Sequence, residues 1–264
     1  MKKLLSVAMM LVLTASMLVG CGNSGTDWDY IKGKKTLVIG ITYYEPMNYH
    51  DPDTGELTGF DTEFAQAVCK ELGVEPVFQE IEWDQKEMEL KSKTIDCIWN
   101  GLTVTEERKA NMAFSKSYVE NKQVVVIKKD NADKFTNIDS LTGIKMCAEG
   151  GSAGEDAIAA DPVLSQNEYI DVSAQRDALL EVKSGTCEAC VLDYVLAKAV
   201  INDTTDYSDL MIIDGIELAK EEYAIGIRLE DAETVAKINE AIDKLLADGT
   251  LKALGEKYGV NVIE

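Results

Sequence analysis

Histidine is almost missing from this chain: its 264 residues hold one, His50. That argues against a histidine-based catalytic triad or a multi-histidine metal site. The run Tyr49-His50-Asp51-Pro52-Asp53-Thr54-Gly55 reads as a solvated turn around it. Arginine is nearly as scarce, with three (Arg108, Arg176, Arg228) among 26 basic residues, so lysine serves wherever solubility alone is needed and each arginine hints at shape-specific work. Basic residues are in turn outnumbered by 47 acidic ones, and no basic stripe is visible, which makes nucleic acid a poor partner. Only four prolines and no low-complexity tract interrupt the chain, and past the N-terminal segment no run is long and apolar enough to cross a membrane.

What is present begins with an export signal. Lys2-Lys3, a short apolar core and Leu18-Val19-Gly20 describe residues 1–20 as a signal peptide. Cys21, directly after Leu-Val-Gly, resembles the lipobox cysteine of bacterial lipoproteins, which is acylated (palmitate-type chains) and becomes the new N-terminus. Ordinary cleavage beside an incidental cysteine is the alternative. Residues 21–35, small and polar at first, are expected to be the lipid-anchored linker of a soluble domain held on the outer face of the bacterial cell membrane. Removing Lys2 and Lys3 takes the 26 basic residues to 24 against 47 acidic ones, a formal charge of about −23. Five cysteines remain (Cys69, Cys97, Cys147, Cys187, Cys190), an odd number that argues against a complete disulfide framework. Cys187-Glu188-Ala189-Cys190 has no second CxxC to complete a zinc site, and in an extended chain its two thiols point to opposite faces. Buried thiols are expected, with a Cys147 to Cys190 bridge as the alternative.

Strands and helices alternate from Leu37 onward. Leu37 to Ile41 is an apolar run of strand length. Asp61 is placed to cap a helix with Phe64, Ala65, Val68, Cys69 and Leu72 on its apolar face, stopped by Gly73. Strands at Pro76 to Phe78 and Ile95 to Trp99 flank a helix over Lys86 to Ser92. A second βα series starts near Gln123 and runs through strands at Ile144 to Ala148, Glu168 to Ile170, Ala189 to Leu192 and Leu210 to Ile213, before Tyr223 to Ile227 leads into two closing helices. The fold class is therefore α/β with two lobes, each a mostly parallel sheet flanked by helices; the expected division is 36–120 plus 222–264 against 121–221, its return crossing being implied by the resemblance given below. Ligands of such sheets bind beyond the carboxyl ends of the strands.

The loops at those ends hold the candidate site. Asn100-Gly101-Leu102-Thr103-Val104-Thr105-Glu106-Glu107-Arg108 is a turn with free backbone groups and a hydroxyl, followed by a guanidinium whose planar fork suits a carboxylate. A surface arginine in a helix capped by Thr105 is the other reading. Glu149-Gly150-Gly151-Ser152-Ala153-Gly154 joins a strand to a helix, where backbone N–H groups and the Ser152 hydroxyl can meet an anion, although a plain connection has the same pattern. Asp193 ends a strand and is either a lone site carboxylate or the N-cap of the next helix. Arginine, threonine and a helix start opposite one carboxylate complement a zwitterion.

Leu57-Thr58-Gly59-Phe60-Asp61, the stretch Ile95 to Thr105 with Glu107-Arg108 and Phe114-Ser115, Gly151-Ser152 and Leu192-Asp193 together resemble the solute-binding proteins of polar amino-acid ABC importers, over about Thr36 to Tyr258. The resemblance implies a periplasmic-binding-protein-like fold with a two-crossing hinge, near Val119 to Lys122 and Glu217 to Glu222. It implies a monomer that binds a small-molecule amino acid, needs no cofactor, is not an enzyme and docks to ABC permease membrane subunits. By the same resemblance Arg108 clasps the ligand carboxylate with Thr103, Ser152 and the backbone at Ala153, Asp193 and the Gly101 carbonyl receive the ammonium, and Tyr44 and Trp83 pack on the side chain. Two departures leave specificity open: the loop after Ile41 is a residue short, with Thr42 or Tyr43 where relatives place a polar contact, and Ala153 replaces a hydroxyl or glycine. Glu45 and Glu149 either reach the distal end of a ligand or are solvated rim charges. A cyclohexadienyl-type dehydratase on the same fold, with one of these two acids as its acid or base, and a nutrient-sensing lipoprotein are the rival readings.

Overall fold

The computed structural model describes residues 25–264. The signal peptide expected over 1–20 and the acylation expected at Cys21 lie outside the described residues.

Helix α1 (Asp27–Lys34) stands where a linker was expected, which corrects that reading over its length. Thr26 Oγ accepts from Asp29 N and the Asp29 carboxylate accepts from Thr26 N, a reciprocal cap that satisfies two otherwise orphaned donors. Trp28 and Ile31, three apart on one face, are buried. The polar residues that made the segment look like a tether are used as anchors: Asp27 pairs with Arg228 Nε at 2.5 Å and with Lys93 Nζ at 2.8 Å, and Lys34 Nζ meets Asp96 at 2.5 Å.

Among the described residues two five-stranded sheets carry the fold. In the first, the order is β4 (Glu75–Glu80), β1 (Thr36–Ile41), β5 (Cys97–Ile98), β12 (Gly226–Arg228), β6 (Met112–Phe114). In the second it is β11 (Leu210–Tyr223), β7 (Val119–Lys128), β10 (Ala189–Asp193), β8 (Lys145–Glu149), β9 (Glu168–Val172). The βα units are parallel as expected, β4 to β1 to β5 and β10 to β8 to β9. Each sheet also holds two antiparallel pairings, because β7, β11 and β12 belong to the segments that cross between lobes and return. The sheets are thus mixed rather than mostly parallel. β2 (Tyr49–His50) and β3 (Leu57–Thr58) form a small hairpin on which His50 is exposed, as its turn-like surroundings predict.

The crossing is a two-stranded ribbon. β7 starts at Val119, paired with Tyr223 and bridged to Val262, and β11 runs beside it from Tyr223 back through Glu221 opposite Asn121 and Ala219 opposite Gln123. Register shifts between Ile212 and Ala219 bend β11, and such irregularities let a strand change direction without losing all of its pairing.

Helix α2 (Phe60–Leu72) buries the apolar face read from its spacing and ends at Gly73 in the left-handed region. Its cap is Gly59, not Asp61; Asp61 lies inside the first turn and its carboxylate accepts from Gly101 N at 2.7 Å. The five cysteines are free and buried. Cys147 and Cys190 sit in register on adjacent strands without a bridge. Cys187 precedes β10, so strand alternation does not separate it from Cys190, and both thiols lie against Cys147. Burial pushes the Cys187 thiol up to about 12, which leaves it inert.

Because α1 packs as part of the first lobe, Ile31→Ala is expected to destabilise the protein by about 2–4 kcal/mol, as for other buried isoleucines. Urea unfolding reads this as a lowered midpoint at unchanged slope; an unchanged midpoint would restore the linker reading.

Candidate functional site

Four strand ends of the two sheets deliver side chains to one cavity between the lobes. The loops after β1 and β5 bring Thr42, Tyr44 and Asn100 to Thr103, and those after β8 and β10 bring Glu149, Ser152, Ala153 and Asp193. The cavity is small, about 10 Å³, room for one water molecule.

Arg108 lies on α4 (Glu106–Lys109), whose N-cap Thr105 accepts from the Arg108 N–H at 3.1 Å. The capped-helix reading is therefore right about the backbone and wrong about the side chain, which is 5% exposed and lines the cavity. Its two terminal nitrogens donate to Thr103 O at 2.9 Å and, across the gap, to Gly151 O at 3.0 Å. No carboxylate among the described residues reaches ion-pair distance of it. Lys86 Nζ, the first residue of α3 (Lys86–Lys91), reaches the same Gly151 carbonyl at 2.8 Å, and burial together with the Arg108 charge lowers it to about 8.

Asp193 ends β10 and precedes α7 (Tyr194–Val200), but it makes no side-chain cap. One carboxylate oxygen accepts from the Asn121 amide and from Gln123 Nε2 at 2.7 Å; the other accepts from Gln175. Burial still raises its pKa, since neutral amides replace less than the hydration that is lost. Glu221 is its neighbour across the ribbon: Asn121 and Gln123 donate to it at 3.1 and 2.9 Å, Thr103 Oγ at 3.1 Å, and it is raised to about 7 by burial and then by Asp193.

Each remaining candidate has a definite place. Gly101 has φ +55° and an added Cβ would stand 2.5 Å from the Tyr44 ring, so both conformation and space demand glycine. Tyr44 is buried with its hydroxyl 2.6 Å from that of Tyr223. Trp83 is buried in a 3₁₀ turn, with Lys86 Nζ 4.7 Å from its ring centroid. Ser152 caps α5 (Ala153–Ala160) by accepting from Glu155 N, leaving the helix start and Ala153 at the cavity wall. Glu149, allowed above as a solvated rim charge, is 4% exposed and raised to about 8 by burial and then by Asp193, so the rim reading is corrected. Glu45 is the one candidate the structure leaves off the cavity wall; it is half-buried and 3.4 Å from Arg176. Sequence reasoning missed Gln175 and, beyond marking it as one of three scarce arginines, Arg176, together with Asn121, Gln123 and Glu221. The first two begin α6 (Gln175–Ser184) and look like an ordinary polar helix start, and the others look like alternate residues of solvated strands.

The sequence profile of the bacterial extracellular solute-binding proteins, family 3, matches residues 37–261. The chain belongs to that family. It is 30% identical over 233 residues to the L-cystine-binding protein TcyJ of Escherichia coli (strain K12), covering 86% of this chain and 84% of TcyJ. A crystal structure of an ABC uptake transporter substrate-binding protein from Streptococcus pneumoniae with bound histidine superposes with a TM-score of 0.82 at 33% identity, over 89% of this chain and 97% of that one. The ancestral amino acid-binding protein AncCDT-1, described as a precursor of cyclohexadienyl dehydratase, superposes at 0.79 with 30% identity, over 88% of this chain and 99% of that one.

In this family 3 member three buried acids, Asp61, Glu149 and Asp193, and the half-buried Glu221 all have raised pKa values, so the folded chain keeps protons that the unfolded chain has lost. Their stabilising effect is complete below about pH 4 and is lost as pH rises through 7 to 8. Denaturation of the ligand-free protein is therefore expected to show stability falling from pH 5 to pH 8, by at most about 1.4 kcal/mol per pH unit for each proton released. Flat stability across that window would show that these acids are ionised throughout.

Proposed function

We propose that this chain is the extracytoplasmic substrate-binding component of an ABC importer, capturing a free polar L-amino acid between its lobes and handing it to the permease subunits in the membrane. The observation that carries the reading is the pairing in one cavity of a buried guanidinium that lacks a carboxylate with a buried carboxylate that lacks a cation. Buried charges are tolerated when paired and hydrogen-bonded, and a zwitterion supplies the missing partner of each. In this reading Arg108, Thr103, Ser152 and the Ala153 N–H take the α-carboxylate, Asp193 and the Gly101 carbonyl take the ammonium, and Tyr44 and Trp83 pack on the ligand.

A cavity of about 10 Å³ admits no amino acid, so entry requires the lobes to part. The β7/β11 ribbon at Val119 to Lys122 and Glu217 to Glu222 is the proposed hinge, with 36–120 plus 222–264 moving against 121–221. The Lys86 and Arg108 bonds to Gly151 O and the Arg176 to Glu45 pair are the contacts that opening breaks. Acylation of Cys21 would keep a monomer beside its permease.

A thermal-shift screen against the common amino acids, with each ligand recovered and identified afterwards, tests both class and chemistry. Stabilisation with unchanged ligand supports a binding protein; turnover would favour the dehydratase reading. Arg108→Ala removes at least two charge-assisted hydrogen bonds of about 1.5–3 kcal/mol each, so calorimetry is expected to show affinity reduced more than 100-fold with circular dichroism unchanged. Asp193→Asn is expected to weaken binding about 10- to 100-fold. Retained affinity in either variant would remove that residue from its role.

A further inference from the structure

Most polar groups on the cavity wall already have partners. Thr42 Oγ donates to Asn100 Oδ1 at 2.7 Å, and Asn100 Nδ2 donates to Thr42 O at 2.8 Å and Asn48 Oδ1 at 2.7 Å, so this side of the wall is closed on itself. Arg176 is turned toward Glu45 at the mouth. Asp193 accepts from three amides. Glu149 is the second carboxylate on this wall: it is buried at the carboxyl end of β8 and lines the cavity, its one side-chain partner is the Gln175 amide, and no lysine or arginine among the described residues lies within 4 Å of it.

We infer that Glu149 is the specificity residue of this pocket and that the ligand is an amino acid with a cationic side chain, whose second positive group is held by Glu149 while Asp193 holds the first. This rests on the reading of the cavity as an amino-acid site and adds the ligand class. The physical reason is desolvation. A carboxylate enclosed this way is costly unless a cation joins it, and a neutral or anionic ligand side chain brings none. The groups that face Glu149 from the packed elements are Asp193 on β10, Gln175 on α6, Lys86 on α3 and Arg108 on α4. Asp193 opposes its ionisation and the two cations favour it, with a net pKa of about 8. At pH 7 the empty site therefore holds Glu149 mainly as the acid. A cationic side chain displaces that proton to solvent, and a neutral side chain leaves it in place.

Calorimetry with L-lysine, L-arginine, L-glutamine and L-leucine, for the wild type and Glu149→Gln, tests this. The wild type is expected to bind lysine or arginine at least 10-fold more tightly than glutamine. The variant is expected to lose at least 10-fold for the cationic ligands and less than threefold for glutamine. Repeating the wild-type titrations at pH 7 in phosphate and in Tris reads protons directly: the cationic ligand is expected to release close to one proton more than glutamine, and the variant to release none extra. This difference cancels any proton lost from Asp193, which meets the ammonium of every ligand. If amino acids bind but Glu149→Gln weakens all of them alike, or if leucine or glutamine is preferred, the assignment of Glu149 falls and the binding function stands. If no amino acid binds the wild type while it remains folded, both fall.

Discussion

The constraint on which this structure turns is that a guanidinium and a carboxylate are buried in the same cleft but each is held by neutral dipoles. Arg108 rests on two carbonyl oxygens and Asp193 on three side-chain amides. Neutral partners fix the direction of a charge without cancelling it, so both groups keep an electrostatic demand that a molecule of opposite polarity can meet. Much of the nearby architecture maintains that condition. Thr105 closes the helix that carries Arg108, Asp61 holds the turn at Gly101, and Gln175 grips both the carboxylate and the backbone N–H of Asp193.

The same groups tie the lobes together. Gly151 O, from the second lobe, accepts from Lys86 and Arg108 of the first, so one carbonyl collects two positive charges at the start of α5. On the other side of the cavity Glu221 links Thr103 to Asn121 and Gln123 on the crossing ribbon. An incoming carboxylate would compete for the donors now spent on Gly151, and an incoming ammonium would compete with the amides that Asp193 shares with Glu221. In the proposed reading, ligand chemistry and lobe geometry are coupled through a few shared hydrogen bonds and do not require a long pathway.

Legibility differed from residue to residue for physical reasons. The alternation of strands with amphipathic helices was readable because burial of one face imposes a period, as in α2 with Phe64, Ala65, Val68 and Cys69. Arg108 and the turn at Gly101 to Thr103 stood out because scarce arginine and a strand-end turn leave a local mark. Asp61 was misread as a cap and Glu149 was left between two readings, because nothing next to them in sequence says how much protein covers them. Asn121, Gln123 and Glu221 carry no local mark: they meet only because β7 and β11 pair across a bulged register. Helix α1 was hidden for the opposite reason, since two buried residues among polar ones give too weak a period to see.

The sequence by itself determined the order of elements, the α/β class, the strand ends at which a site must form, and the family. Those follow from local periodicity, turn chemistry and an ordered series of short segments, all of which are properties of neighbouring residues. Tertiary structure alone decided that the sheets are mixed, that Asp193 is not a cap, that Glu149 is buried and Glu45 is not on the cavity wall, and that one carbonyl joins two cations across the cleft. Burial and partnership depend on residues tens to more than a hundred positions apart, and charge in a protein is governed by what surrounds it in space.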